Sequence, residues 1–442
     1  MKFNKKFRTA LAVATSLAMT FGAVACSRDY TVAYVFSTSA SNGTVSAYAV
    51  DYQSGELTQI SGSPFASQVG NNPVTLIAAP NQKFIYIIGG SQSSTVEEMA
   101  VGTDGKLYGQ NTYNLASGDT YGTSAAIDPA GKFLYVAFTY ISPATPASPI
   151  RGGISVFPIN TDNSLGTPFT VPVGNNPVGI AVSPADCAVT AAAGTGQQTC
   201  TTTNGAANAG FLNSFVYVVE QEGLSTNPNP PHILGFAQNT TTGALTFLSG
   251  SSCAINGTQT TCTGYKSGVT PSAIAIDPTG RYVYVTDKTS NQIIGYGISI
   301  SNAGSGANNG NLTPLVSSPY TTGLYPVALT IDPRGKYIYT ANYNSNTVSS
   351  FSLNAADGSL SGAGQVGNFN TSTGPTCVTI DPALGIYLYT SNYLDSSISG
   401  GQLSPNTGNL TAVVNAPFPS GALPSCIISV VNGSHASSIV NP

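Results

Sequence analysis

Short apolar runs succeed one another along this chain, each bounded by Gly, Pro, Asn or Asp, and they sort into four recurring columns. The first column is an apolar run behind Pro or Gly: VTLIAAP (74–80), TSAAIDP (123–129), VGIAVSP (178–184), SAIAIDP (272–278), VALTIDP (327–333), TCVTIDP (376–382) and SCIISVV (425–431). The second surrounds a tyrosine: Tyr34, Tyr86, Tyr135, Tyr217, Tyr284, Tyr339 and Tyr389. The third opens at Thr44, Thr95, Gly153, His232, Gln292, Thr347 and Ser397, and the fourth at Leu57, Leu107, Leu165, Leu245, Leu312, Leu360 and Leu410. Runs this short, rich in Val, Ile, Tyr and Thr and closed by turn formers, predict β-strands. DPTG (277–280) and DPRG (332–335) stand between columns one and two. Asp first, Pro second and Gly fourth is the residue pattern of a type I turn.

Four strands per unit and seven units predict an all-β, seven-bladed β-propeller of antiparallel blades. Residues 27–442 read as one domain. The column order closes the ring: the first unit supplies columns two to four, and the chain ends on column one. The C-terminal strand therefore completes the N-terminal blade, which removes exposed strand edges. One unit is long, 94 residues from Pro177 to Pro271 against 49 from Pro326 to Pro375. It holds two insertions, near 185–210 and 250–264.

The first 26 residues stand outside this pattern. Lys2, Lys5, Lys6 and Arg8 precede an apolar stretch that ends in AVAC at Cys26. That is the layout of a secretion signal, and its ending resembles a bacterial lipobox with Cys26 as the lipidated residue. The expectation is an exported, lipid-anchored envelope protein, monomeric. Of seven cysteines, Cys26 takes the lipid and six remain. Cys187–Cys200 and Cys253–Cys262 would close short local loops. Cys377 and Cys426, at one column position in neighbouring units, would staple the closing strand. Export permits such bonds.

Charge narrows the partners. Four of the 14 basic residues lie in the signal, leaving 10 against 18 acidic ones, a net of −8. No basic footprint for nucleic acid is present. No CxxC pair or histidine cluster suggests a metal, no phosphate loop or nucleophile elbow occurs, and no cofactor is expected.

The units, DPRGKYIYTANYNSNTVSSFSL (332–353) above all, resemble the seven-bladed propeller lactonase family, the fold of propeller-type 6-phosphogluconolactonases, and the related YVTN surface repeats. The resemblance covers nearly the whole chain after the signal and implies a lactone hydrolase. Asp128, Asp277, Asp332 and Asp381 recur in turns, where Asp bonds its own backbone; the tyrosines recur as packing. Chemistry should sit where the repeat changes. Three residues beyond each column tyrosine lie Ser37, Gly89, Phe138, Glu220, Asp287, Asn342 and Asn392. Glu220 and Asp287 are the candidate carboxylates for activating water, with His232 as a further base. Lys288 could steady an oxyanion, and Glu222, Asn342, Tyr343 and Asn392 could bind substrate. A phosphorylated sugar needs clustered cations. Among the arginines outside the signal (Arg28, Arg151, Arg281, Arg334), only Arg151 is free of a repeat turn and close to a loop that could serve. The expected ligand is an unphosphorylated lactone or carbohydrate; the alternative is a non-catalytic propeller binding a glycan, peptide or envelope protein.

Overall fold

A computed structural model describes residues 30–141, 152–174, 176–184, 214–221, 230–256, 259–299, 310–433 and 439–440. Among these residues there are seven propeller sheets, one added two-stranded hairpin and no helix. Each blade runs outward through four strands. In the sixth these are Pro326–Ile331, Tyr337–Asn342, Thr347–Leu353 and Leu360–Asn370, paired antiparallel in that order. The innermost strands of successive blades pack on one another in a closed circle.

The ring closes as the column order predicts. The last strand, Pro424–Val431, pairs with Thr31–Ser39, which pairs with Thr44–Asp51 and so with Leu57–Gln59. Cys377 and Cys426 form a disulfide across the seam with Cα atoms 4.9 Å apart. Cys253–Cys262 closes the hairpin Ser252–Asn256 and Gln259–Thr263. Cys26, Cys187, Cys200, Arg151, Glu222 and His435 lie outside the described residues. One strand differs from the expected column. The outer strand of blade three is Phe169–Pro172, while Leu165 makes only an isolated bridge to Ile159.

The repeated residues do structural work. Asp332 Oδ1 accepts from the N–H groups of Lys336 (2.6 Å) and Tyr337 (2.7 Å). Asp128 and Asp277 grip their turns the same way, and Asp381 does so with both oxygens. The tyrosine column carries more than packing. Each hydroxyl crosses to the next blade and donates to a carbonyl in its third-to-fourth-strand turn: Tyr34 to Thr103, Tyr86 to Asn163, Tyr135 to Gly243, Tyr217 to Gly310, Tyr284 to Gly358, Tyr339 to Gly408 and Tyr389 to Gly55. Seven seams thus carry seven such bonds, which is why the column is Tyr rather than Phe. Removing one hydroxyl leaves a buried carbonyl without its donor, at a cost of about 1–2 kcal/mol. Tyr339→Phe should lower unfolding free energy by that amount in urea titration, with the slope unchanged.

A second ring of bonds links the inner strands. Thr123, Ser272, Thr376 and Ser425 donate to the carbonyls of Pro177, Pro326, Pro424 and Pro73 in the following blade, at 2.5–3.1 Å. At the seam between blades four and five the hydroxyl position is Val178, and Gln221 Nε2 reaches Pro271 O at 2.6 Å instead.

Candidate functional site

All the described candidates stand on one face, which carries the turns between second and third strands and the loops joining blades. Their geometry separates them. Asn342 and Asn392 end second strands and are fully buried. Asn342 Nδ2 donates to Thr347 and Ser349, and Asn392 Nδ2 to Ser397 and Ser399. These amides lock the third strand to the second, so their Nδ2 donors are spent inside the blade rather than on substrate, while Asn392 Oδ1 is buried without a hydrogen-bond partner.

Asp287 occupies the same place in blade five and also spends itself internally. Its carboxylate accepts from Val269 N (2.8 Å), Thr270 N (3.0 Å), Thr289 N (3.2 Å) and Gln292 Nε2 (3.3 Å). Burial alone would raise its pKa, but the hydrogen bonds from Val269, Ser290 and Thr270 outweigh it and hold the group below the ordinary aspartate value. A saturated carboxylate with a lowered pKa is a poor proton acceptor. The expected general base is therefore a clamp on loop 267–270. Gly268 makes it possible: a Cβ there would sit 2.3 Å from Asp287 Oδ2.

In blades four to seven the residue after the strand end is half-buried and tied to the loop entering its blade. Gln221, Lys288, Tyr343 and Tyr393 each donate their backbone N–H to the loop entering their blade, at Asn176, Thr270, Tyr325 and Gly374. Lys288 Nζ lies 5.5 Å from the centre of the Tyr325 ring, and that ring lies 6.3 Å from Tyr343. Lys288 is thus turned toward blade six. Tyr325 itself has φ +61° immediately before Pro326, a conformation costly for a bulky side chain. Gln221 and Tyr325 escaped the sequence reading, although both flank column boundaries.

Blade four departs from its siblings. There the strand-end and strand-opening pair is Glu220 and His232, where blades six and seven have Asn with Thr or Ser and blade five has Asp287 with Gln292. They face each other across the ladder formed by Ser214–Glu220 and His232–Gln238. Nδ1 of His232 is buried and 3.5 Å from Glu220 Oε1. That is ion-pair range rather than a formed hydrogen bond. Catalytic contacts are often this loose before ligand arrives. With Nδ1 turned inward, Nε2 is on the opposite edge of the ring. Gly174 lies against the carboxylate, where a Cβ would meet Glu220 Oε2, and Cys262 of the inserted hairpin closes over the same spot. Lys266, which the columns did not single out, stands across the ladder from His232. Glu220 and His232 form the only carboxylate–imidazole pair among the described residues.

The sequence profile described as "Lactonase, 7-bladed beta-propeller" matches residues 32–179 and 232–380. The chain belongs to this lactonase family. Glu220 falls in the stretch between the two matched segments and His232 opens the second. The pair therefore joins a residue outside the family pattern to one inside it. A search of curated proteins finds no match. Among solved structures, a proposed 6-phosphogluconolactonase from Bacteroides uniformis superposes with a TM-score of 0.62 at 16% identity, covering 91% of this chain and 100% of its own. A second such protein from Bacteroides fragilis gives 0.61 at 16% identity, covering 91% and 99%. The periplasmic gluconolactonase of Pseudomonas aeruginosa gives 0.60 at 15% identity, covering 90% and 99%. At these identities the likeness is one of fold.

Blade three holds a further buried acid on this face. Asp119 accepts from Thr170 Oγ1 at 2.9 Å, and burial pushes its pKa up to about 7. Its folded pKa exceeds its unfolded value of about 3.9, so the unfolded state binds fewer protons across that interval. Stability therefore falls as pH rises from about 4 to about 7, and the full penalty stands above 7. Asp119→Asn should be more stable than the parent at pH 8, by about 1–3 kcal/mol. The gain should vanish below pH 4. Paired urea titrations at the two pH values check this.

Proposed function

We propose that this lactonase-family propeller hydrolyses an unphosphorylated sugar lactone, or a similar ring ester, outside the cytoplasm. The observation that carries the proposal is the Glu220–His232 pair, a carboxylate and an imidazole at a position where no other blade sets an acid against a base. His232 is the general base. Glu220, 3.5 Å from Nδ1, closes on Nδ1–H when substrate binds and so keeps the Nε2 lone pair outward, the orienting role a carboxylate plays beside an imidazole. Water attacks the lactone carbonyl while Nε2 takes its proton. The tetrahedral intermediate then expels the ring oxygen, which receives that proton, and a hydroxy acid leaves. Lys266 supplies positive charge near the developing oxyanion and the product carboxylate.

Among the described residues, cations on this face are few, and a phosphorylated substrate needs a cluster of them. Arg281 and Arg334 are spent near the repeat turns, the first over the Tyr282 ring and the second on Asp332. The disulfides Cys253–Cys262 and Cys377–Cys426 fit an oxidising compartment, and the context of Cys26 suggests a lipid anchor there. Base uptake at constant pH tests the reading. D-Glucono-1,5-lactone should be hydrolysed well above its spontaneous rate and its 6-phosphate poorly. No acceleration of any sugar lactone by folded protein would leave a binding propeller as the reading.

A further inference from the structure

Blade two carries an exception of its own, remote from blade four. The third residue of the third strand is Ser46, Ser155, Ser349 or Ser399 in four other blades. In blades three, six and seven its hydroxyl takes one backbone N–H from the incoming loop: Ala116, Gly323 and Ser372 donate to Ser155, Ser349 and Ser399. In blade two that residue is Glu97, 1% exposed. Its Oε2 does the same loop-holding work, accepting from Gln68 N at 2.7 Å and Ser67 Oγ at 2.5 Å. A serine suffices for that task elsewhere, and burying a carboxylate is costly. Among the described residues no hydrogen bond ends on Oε1, which lies toward Gly109 on the outer strand.

That region borders a cleft of about 430 Å³, within the size range of small-ligand sites. Phe65 and Met99 give it apolar surface; Gln68, Glu97, Gln110 and Asn111 give it hydrogen-bonding groups. No Lys or Arg lines it, so an anion has no counter-charge there. We propose that this cleft is a binding site for a neutral carbohydrate unit, with Glu97 Oε1 and the neighbouring amides taking hydroxyls and Phe65 taking the C–H face of the ring. Sugars present that combination of a polar edge and an apolar face, and their hydroxyls can both donate and accept. Burial raises the Glu97 pKa, with its bonds from Ser67 and Gln68 opposing, which suits a group meeting an uncharged partner.

The test exploits the other blades. Glu97→Ser installs the residue that holds the loop in blades six and seven, and so removes the ligand group while keeping the fold. Saturation-transfer NMR and calorimetry on the full chain would use cellobiose and D-glucose as probes. The expected result is saturable binding of at least one probe, weakened tenfold or more in Glu97→Ser and unchanged in His232→Asn. Binding that survives Glu97→Ser, or that disappears in His232→Asn, would overturn the proposal, as would the absence of binding by both probes. A second variant, Gln110→Ala on the exposed outer strand, should weaken binding without touching the loop. The outcome is independent of lactone turnover.

Discussion

Replacing His232 with Asn should lower lactone turnover by a factor of about 10²–10⁴, the usual contribution of a positioned general base. The fall should appear in kcat more than in KM, because a base acts in the transition state and not in ground-state binding. Asn is the right replacement. Asn already pairs across this same ladder position in reverse, from Asn342 to Thr347 and from Asn392 to Ser397, so blade four can keep its geometry. Glu220→Gln should cost less, since it leaves the imidazole in place but loosens its orientation and tautomer. Asp287→Asn should leave turnover within a few-fold of the parent while lowering stability, because its carboxylate holds Val269 and Thr270. Steady-state kinetics on the three variants, with circular dichroism to confirm folding, separate these roles. If Asp287→Asn alone abolished turnover in a folded protein, the assignment of roles would be reversed.

Ending the chain at Ala422 should abolish folding. The truncation removes Pro424–Val431, the innermost strand of blade one, and with it the ladder to Thr31–Ser39. It also removes the Cys377–Cys426 disulfide and the bond from Ser425 to Pro73. What remains is an open ring whose second strand presents an unpaired edge flanked by buried apolar residues, among them Val35 and Phe36. Such an edge templates association. Size-exclusion chromatography should show aggregate and little monomer. Cys426→Ser is the milder counterpart. It keeps the strand and loses only the covalent tie, worth about 2–4 kcal/mol, so it should fold with reduced stability. A truncated chain that ran as a stable monomer would show that the seam contributes little.

The architecture was legible because a propeller repeats its requirements. Turn Asp, seam Tyr and inner-strand Pro recur at fixed places, and a closed ring explains why column one comes last. The site was less legible, for reasons of direction. Equivalence of columns identifies Glu220, Asp287, Asn342 and Asn392 as one structural position, but it does not say where that position points. The strand end turns inward to grip the next strand, and its neighbour, such as Gln221 or Tyr343, pairs with the incoming loop. Asp287 and Glu220 look alike in sequence. The hydrogen bonds from loop 267–270 distinguish them, and those depend on packing between blades. Lys266 sits in a short added strand outside the four columns. Glu97 stands where Ser recurs in its column, but only the loop it holds shows that one of its oxygens makes no bond among the described residues.

The most direct measurement of the account is a crystal structure of the chain with D-glucono-1,5-lactam, an isostere of the lactone that does not open. The lactam carbonyl should lie on the face above blade four, with His232 Nε2 close enough for a single water to bridge it to the carbonyl carbon, and with Glu220 drawn to hydrogen-bond distance of Nδ1. A lactam seated instead beside Lys288 and Tyr325, with His232 out of reach of a bridging water, would contradict the assignment of His232 as the base.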